Sequence, residues 1–569
     1  MIQNPIFPGF NPDPCIVRKG EDYYVAVSSF EWLPGIPIYH SKDLKKWELI
    51  THVLDDTYLD LKRLPSAKGI WAPCLTYCED EDMFYVIYGV MNSMEARYFD
   101  VDNYLITAKD ICGPWSEPVY LHSAGFDASI LHDDDGRKYI VSLEWETRDG
   151  YEKPGVICLS EYDPLQKKIV DYPRRIWGGG TDRGCIEAPH LTKKNGRYYL
   201  MCAEGGTGYN HCVTMARADD VWGPYEGDPC NPIITSQPVS GNERHDPDHL
   251  KPKYFNSLAG LQKAGHASYV ETPSGEVYAT HLCARPFVTD DPDIVSRYRC
   301  SLGRETAIQK MMWTEDGWLR MNTGSKIARI QVEEPGDDHS ADQSLKVTAA
   351  EKSIFMPASR VDGLSVSYKD DFDQDKLGIY YYSPRLMPDS FCSLRSRKGY
   401  LSIRGQEAPT SLNKVSLLAR KLTSVNAVIE TRMDFKPEVY QHSAGLIMYY
   451  DNMNFVYLRK YYSQTLEGPA LALLQLENGV RKEFLDTRLA VMDLPIKMKV
   501  TIEGRQFYFS YSIDGTDFER IGKDFDTSIL SDEYCKYGEF TGAFVGIICV
   551  DRMFHNKYAD FDYFDYQVN

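Results

Sequence analysis

The sequence predicts an all-β chain, a five-bladed β-propeller followed by a β-sandwich. Three observations carry that reading. Apolar and polar residues alternate with period 2 through about the first 320 positions, and long helical patterns are scarce. One signature, a Gly or acidic turn followed by an aromatic-rich strand, recurs five times. After a polar, acidic stretch the alternation resumes and runs to the end of the chain.

The signature appears first as GEDYYVAV (20–27) and returns as EDMFYVIY (81–88), DGRKYIVS (135–142), NGRYYLMC (195–202) and SGEVYATH (274–281). Its landmarks are Tyr24, Tyr85, Tyr139, Tyr199 and Tyr278. The spacing leaves room for four short strands per repeat, which is the mark of propeller blades. SKDLKKW (41–47), AKDICGPW (108–115) and ADDVWGPY (218–225) read as turns after later strands of a blade. Because the spacing wanders, a tandem of β-sandwiches is the alternative architecture.

Shortly before each landmark a short strand begins. Those starts are Asp13 in NPDPCI, Trp71 in IWAPCL, Asp127 in GFDASI, Glu187 in IEAPHL and His266 in GHASYV. The innermost strand of every blade lines the propeller axis, so three acids, an indole and an imidazole are predicted to face one another at one channel mouth. Asp13, set between two prolines, would be expensive to desolvate without partners or a task.

With 569 residues the chain is too long for one core. The expected division is a catalytic propeller over 1–330, a linker over 331–355 containing VEEPGDDHSADQSLKVTAAEKS (332–353), and a sandwich over 356–569. A formal net charge of −19 argues against nucleic acid as a partner and favours a neutral substrate. Aromatics at 13% suit sugar rings, whose apolar faces stack on them. The first residues, MIQNPIFPGF, have neither a basic region nor an apolar one, and no apolar run approaches 18 residues. The expectation is therefore a cytoplasmic protein without a membrane partner. The 14 cysteines are scattered and read as buried free thiols. Cys74 and Cys78 are spaced CxxxC but have no second pair, and ERHDPDHLKP (243–252) mimics a metal site while reading as a solvated loop. There is no GxxxxGK[ST], no dinucleotide fingerprint and no HExxH. Two carboxylates flanking a glycosidic oxygen suffice to hydrolyse it, and a third raises the pKa of the acid.

NPDP, WAP, FDAS, IEAPH, AEGGTGYNH (203–211), GHAS and LGRETAIQK (302–310), in this order, resemble glycoside hydrolase family 43, specifically its two-domain β-xylosidases. The resemblance runs the length of the chain. It implies an inverting mechanism with Asp13 as general base, Glu187 as general acid and Asp127 as the third acid that tunes and orients Glu187. It implies that Arg304 contacts the sugar hydroxyls, that Phe30 and Trp71 wall the terminal-sugar subsite, and that Thr207 binds substrate. A lectin-like jelly roll would close the pocket with one phenylalanine, matched by Phe544 in FTGAFVG (540–546). No cofactor is required, although His266 matches a histidine that holds calcium through waters in several relatives. Two departures are Cys74, where relatives commonly carry His, and Cys15, where they carry a small residue. The implied activity is release of D-xylose from the non-reducing end of xylobiose and longer β-1,4-xylo-oligosaccharides. The alternatives are an α-L-arabinofuranosidase or dual-activity enzyme and, from another class, a non-catalytic sugar-binding propeller with a lectin domain. A homo-oligomer, dimer or tetramer, is implied by resemblance alone.

Overall fold

The computed structural model describes the whole chain except residues 96–97, 149, 151–154, 238–254, 294–295, 337–366 and 537–539. Five antiparallel sheets follow one another along the first part of the chain. Blade 1 is Cys15–Lys19, Asp22–Ala26, Gly35–Ser41 and Glu48–Leu54; blade 2 is Gly69–Cys78, Met83–Glu95, Tyr98–Ala108 and Val119–His122. Blade 3 runs from Ser129–His132 through Lys138–Trp145 to Gly155–Asp163, with Lys168–Ile169 and Arg174–Trp177 on its rim. Blade 4 orders Glu187–Lys194, Arg197–Glu204 and Cys212–Ala218, and blade 5 orders Gln262–Glu271, Val277–Ala284, Glu305–Trp313 and Leu319–Met321. All five landmark tyrosines lie on the second strand of their blade, so the repeat marks the blades as expected. There is no α-helix among the described residues.

The ring closes through its ends. Ile2–Gln3 pair with Gln331–Val332, and Asn4 works as an extra rung. Its side-chain amide donates to the carbonyls of Ile308 (2.7 Å) and Arg329 (2.8 Å) and accepts from the Ile308 amide (2.8 Å). Gln331 and Val332, expected in the linker, thus belong to the propeller. Their acidic, polar surroundings hide a two-residue strand whose partner lies at the other end of the domain. Most of the remaining linker, together with the ERHDPDHLKP stretch, lies outside the described residues.

Past Ser367 two sheets face each other. One orders Cys392–Ser393, Leu401–Arg404, Tyr558–Val568, Asn426–Asp434, Ile496–Glu503, Gln506–Ser512 and Glu519–Asp526; the other orders Ser416–Lys421, Phe544–Asp551, His442–Asp451, Asn454–Ser463, Gly468–Glu477 and Val480–Glu483. The second sheet is buried on both faces. Leu418, Leu446, Met448, Val545 and Ile547 enter the sandwich core. Leu417, Ala419, Ile447, Tyr449, Phe544 and Ile548 pack against Phe10, Phe30 and Trp32 of the propeller. That is why His442–Asp451 and Phe544–Asp551 are buried at every position and read as nearly continuous apolar runs.

Backbones of the two domains meet at a pair of glycines. A Cβ on Gly303 would lie 2.6 Å from the Thr541 carbonyl oxygen, and one on Gly542 would lie 2.6 Å from that of Leu302. Only hydrogen fits on either side, and Gly303 has φ +77° besides. The approach seats the turn before Phe544 directly over Arg304.

Candidate active site

The acids arrive at the axis because the backbone at the inner strand starts is bent. Asp13, Asp127 and His266 have φ of 57°, 55° and 46°, and in blades 2 and 4 the left-handed residue is the next one, Ala72 (39°) and Ala188 (51°). Such conformations cost about 1–2 kcal/mol for a residue with a Cβ and collect at functional sites. Register shifts between Trp71 and Cys74 and between Glu187 and His190 add a bulge to the same two strands, which re-aims side chains.

Asp13 sits among donors. The Ser28 hydroxyl donates to its Oδ2 at 2.6 Å and itself accepts from the Ala72 amide at 2.8 Å. Arg304 Nη1 lies 3.5 Å and His266 Nδ1 3.6 Å from Asp13 Oδ1. Arg304 is held by the Thr207 hydroxyl (2.7 Å) and the Phe540 carbonyl (2.8 Å), both accepting from it. Its neighbour Glu305 points the other way along the strand and pairs with Arg285 through two 2.7 Å bonds. Asp127 accepts the Ala188 amide at 3.0 Å, tying it to the peptide that follows Glu187. Glu187 faces His211, with Oε1 3.7 Å from Nε2. The His211 Nδ1–H donates to the Lys263 carbonyl (3.1 Å), so Nε2 carries the lone pair and faces the carboxyl across a gap longer than a hydrogen bond. Gly265 makes room for that ring, since a Cβ there would come within 2.3 Å of it.

Charge is unevenly shared among the acids. Burial and the neighbouring Asp13 carboxylate push Glu187 up to about 8, against the pull of Arg304. Burial, then Glu187 and Asp13, raise Asp127 well above the ordinary carboxylate range. Asp13 acts as a like charge on both buried carboxyls, and Asp127 and Glu187 repel each other besides. The Ser28 and Arg304 donors gather at Asp13, whereas Glu187 and Asp127 are the two carboxyls that burial favours in the neutral form. Burial holds His266 and His211 neutral by lowering both.

The walls are aromatic. Phe30 lies over the Arg304 guanidinium at 5.6 Å and beside Trp71 at 5.8 Å. Trp71 also meets Phe126 at 5.8 Å and Phe540 at 6.0 Å, edge to face. Phe544 does not reach the rim. It is fully buried, stacked on Trp32 at 3.7 Å between the domains. Phe540, four residues earlier, lies 5.3 Å from the Arg304 guanidinium and is the sandwich's contribution to the pocket. Sequence reasoning also missed Ser28, Phe126 and His211, although SSFEW, GFDASI and AEGGTGYNH contain them.

Calcium takes six to eight oxygen ligands. His266 is flanked by Arg304 and by His190, 6.4 Å away between ring centres, and beyond His190 lie the Cys15 and Cys74 sulfurs. The donors beneath His266 are thus nitrogen and sulfur rather than the oxygens calcium takes, and that set does not fit calcium.

Comparison with known proteins settles the kinship. Residues 2–319 match the glycosyl hydrolases family 43, and residues 369–567 match the beta xylosidase C-terminal concanavalin A-like domain. The chain belongs to glycosyl hydrolases family 43. A Bacillus subtilis (strain 168) protein named beta-xylosidase is 38% identical, covering 100% of this chain and 99% of its own. The xylosidase/arabinosidase 43B of Humicola insolens is 37% identical over 100% of this chain and 97% of its own. The crystal structure of xylan beta-1,4-xylosidase from Bacillus Halodurans C-125 superposes with a TM-score of 0.87 at 40% identity, with 100% of both chains covered. The family 43 chain thus shares both its propeller and its sandwich with these relatives.

Proposed function

We propose that this family 43 chain is an inverting exo-β-xylosidase that removes D-xylose from the non-reducing end of short β-1,4-xylo-oligosaccharides. The observation that carries the reading is the meeting of Asp13, Asp127 and Glu187, borne by three different blades, in one aromatic-walled pit. Phe540 of the sandwich covers that pit. Glu187, neutral near pH 7, protonates the departing glycosidic oxygen, and His211 Nε2 faces its carboxyl at 3.7 Å. Asp13, held by Ser28 and Arg304, takes a proton from the attacking water. Asp127 anchors the peptide bearing Glu187. Arg304 and Thr207 bind sugar hydroxyls, and Phe30, Trp71 and Phe540 pack on the ring. Side chains carry both proton transfers, so no cofactor is invoked. A cytoplasmic dimer or tetramer is part of the same proposal.

Hydrolysis of xylobiose followed by NMR tests it. The first-formed xylose should be the α-anomer; β-xylose, or no turnover, overturns the reading. The Humicola insolens relative's name also carries arabinosidase, which favours activity on α-L-arabinofuranosides as the second reading. Rates on the two aryl pentosides rank them.

A further inference from the structure

One step beneath the acids along the axis the inner strands present a second ring. Blade 1 contributes Cys15, blade 2 Cys74 and blade 4 His190. The ligand atoms of these three residues all lie within 4.8 Å of one another, with the two sulfurs 4.0 Å apart. Zinc bound at about 2.3 Å to each of two thiolates sets them about 3.8 Å apart in a tetrahedron, so the sulfurs already stand near that spacing. A disulfide needs them at about 2.0 Å.

The two bulges described above are what make this ring. Side chains three apart on a regular strand point to opposite faces. The register shifts between Trp71 and Cys74 and between Glu187 and His190 turn both members of each pair to the axis. The Leu75 amide donates to Cys15 Sγ at 3.2 Å, a contact that suits a bound thiolate; the Ser268 and Ser129 hydroxyls beside Cys15 and Cys74 give their protons to the Pro14 and Pro189 carbonyls. Ser268 is fixed in turn, accepting the Ile16 amide at 2.8 Å. Both cysteines are at most 3% exposed, while His190 keeps partial exposure.

We propose that Cys15, Cys74 and His190 form a binding site for a thiophilic divalent metal ion, zinc(II) foremost, that ties blades 1, 2 and 4 together beneath the active-site acids. Three protein ligands leave the fourth position for water.

The test uses the full chain, reduced and freed of metal with a chelator, and titrated with cobalt(II) as a spectroscopic stand-in. A thiolate-to-metal charge-transfer band saturating at one ion per chain, displaced by zinc(II), is the expected result. The band should be lost in Cys74→Ser, weakened or shifted in His190→Asn, and unchanged when the exposed Cys112 and Cys230 are both replaced by serine. Zinc(II) should raise the melting temperature of the native chain and leave that of Cys74→Ser unmoved. No band with native protein, a band that survives Cys74→Ser, one that vanishes with the exposed cysteines, or a Cys15–Cys74 disulfide on peptide mapping of the untreated protein would overturn the proposal. Because the native chain is itself titrated, a Cys74→Ser variant that fails to fold leaves the first outcome decisive. None of these readouts depends on which pentoside the enzyme cleaves.

Discussion

As the proposed general acid, Glu187 should set the alkaline limit of the reaction. As a general acid it must hold its proton, and burial together with Asp13 places its pKa at about 8. Activity should therefore persist through neutral pH and fall as pH rises past about 8, the carboxyl being ionised above that point. A kcat/KM profile checks it, and an alkaline limb near the ordinary carboxylate range would contradict the assignment. Glu187→Gln should lower kcat on xylobiose on the order of 10²–10⁴-fold. The loss should be much smaller on an aryl xyloside whose leaving group needs no proton. The two phenylalanines separate by the same logic. Phe540→Ala should raise KM with little effect on stability. Phe544→Ala, which empties the space against Trp32, should cost roughly 3–5 kcal/mol in unfolding and leave KM of the folded fraction alone; melts and steady-state kinetics on both variants decide it.

Among the elements, the inner strands were readable from sequence because each precedes an aromatic strand that repeats. Asp13, Trp71, Asp127, Glu187 and His266 were found by position alone. The sandwich's contact with the site was not. Phe540 and Phe544 are four apart, and period-2 reasoning would put them on one face, but the strand begins only at Phe544 and Phe540 belongs to the turn, whose direction no periodicity fixes. His211 escaped for a similar reason: it points at Glu187 because of the bond to Lys263 and the space left by Gly265, both of which are tertiary. Bulges were equally invisible, being shifts of register between strands that no single strand records. The glycine contact between domains can be tested directly. Gly303→Ala places a methyl against the Thr541 carbonyl at positive φ, and should cost roughly 2–4 kcal/mol. It should also lower kcat/KM by moving Phe540, seen as a lower melting temperature together with a higher KM.

Across the whole molecule the sandwich reaches the chemistry through a buried ion cluster. Lys263 lies 2.8 Å from Glu533 and 3.3 Å from Asp532, all three fully enclosed. Glu533 also accepts from the Cys300 amide (2.8 Å) and the Tyr209 hydroxyl (3.0 Å). Lys263 is the residue whose carbonyl fixes His211, so an interdomain charge pair and the acid Glu187 are three contacts apart. Breaking such a pair from one side leaves a charge without compensation. Glu533→Gln should cost roughly 3 kcal/mol by that argument and depress kcat more than a remote surface change, measurable by denaturant unfolding beside initial rates. Composition could announce two domains, but which of the 82 acidic side chains would be sealed between them depends on the docked surfaces.

The pairing of Ile2–Gln3 with Gln331–Val332 also sets an order of events during synthesis. Residues 2–3 are translated before their partners and stay unpaired until the fifth blade has been made, and Arg304 and His266, which face Asp13, arrive with that blade. The proposed base thus meets those two partners only when the ring closes.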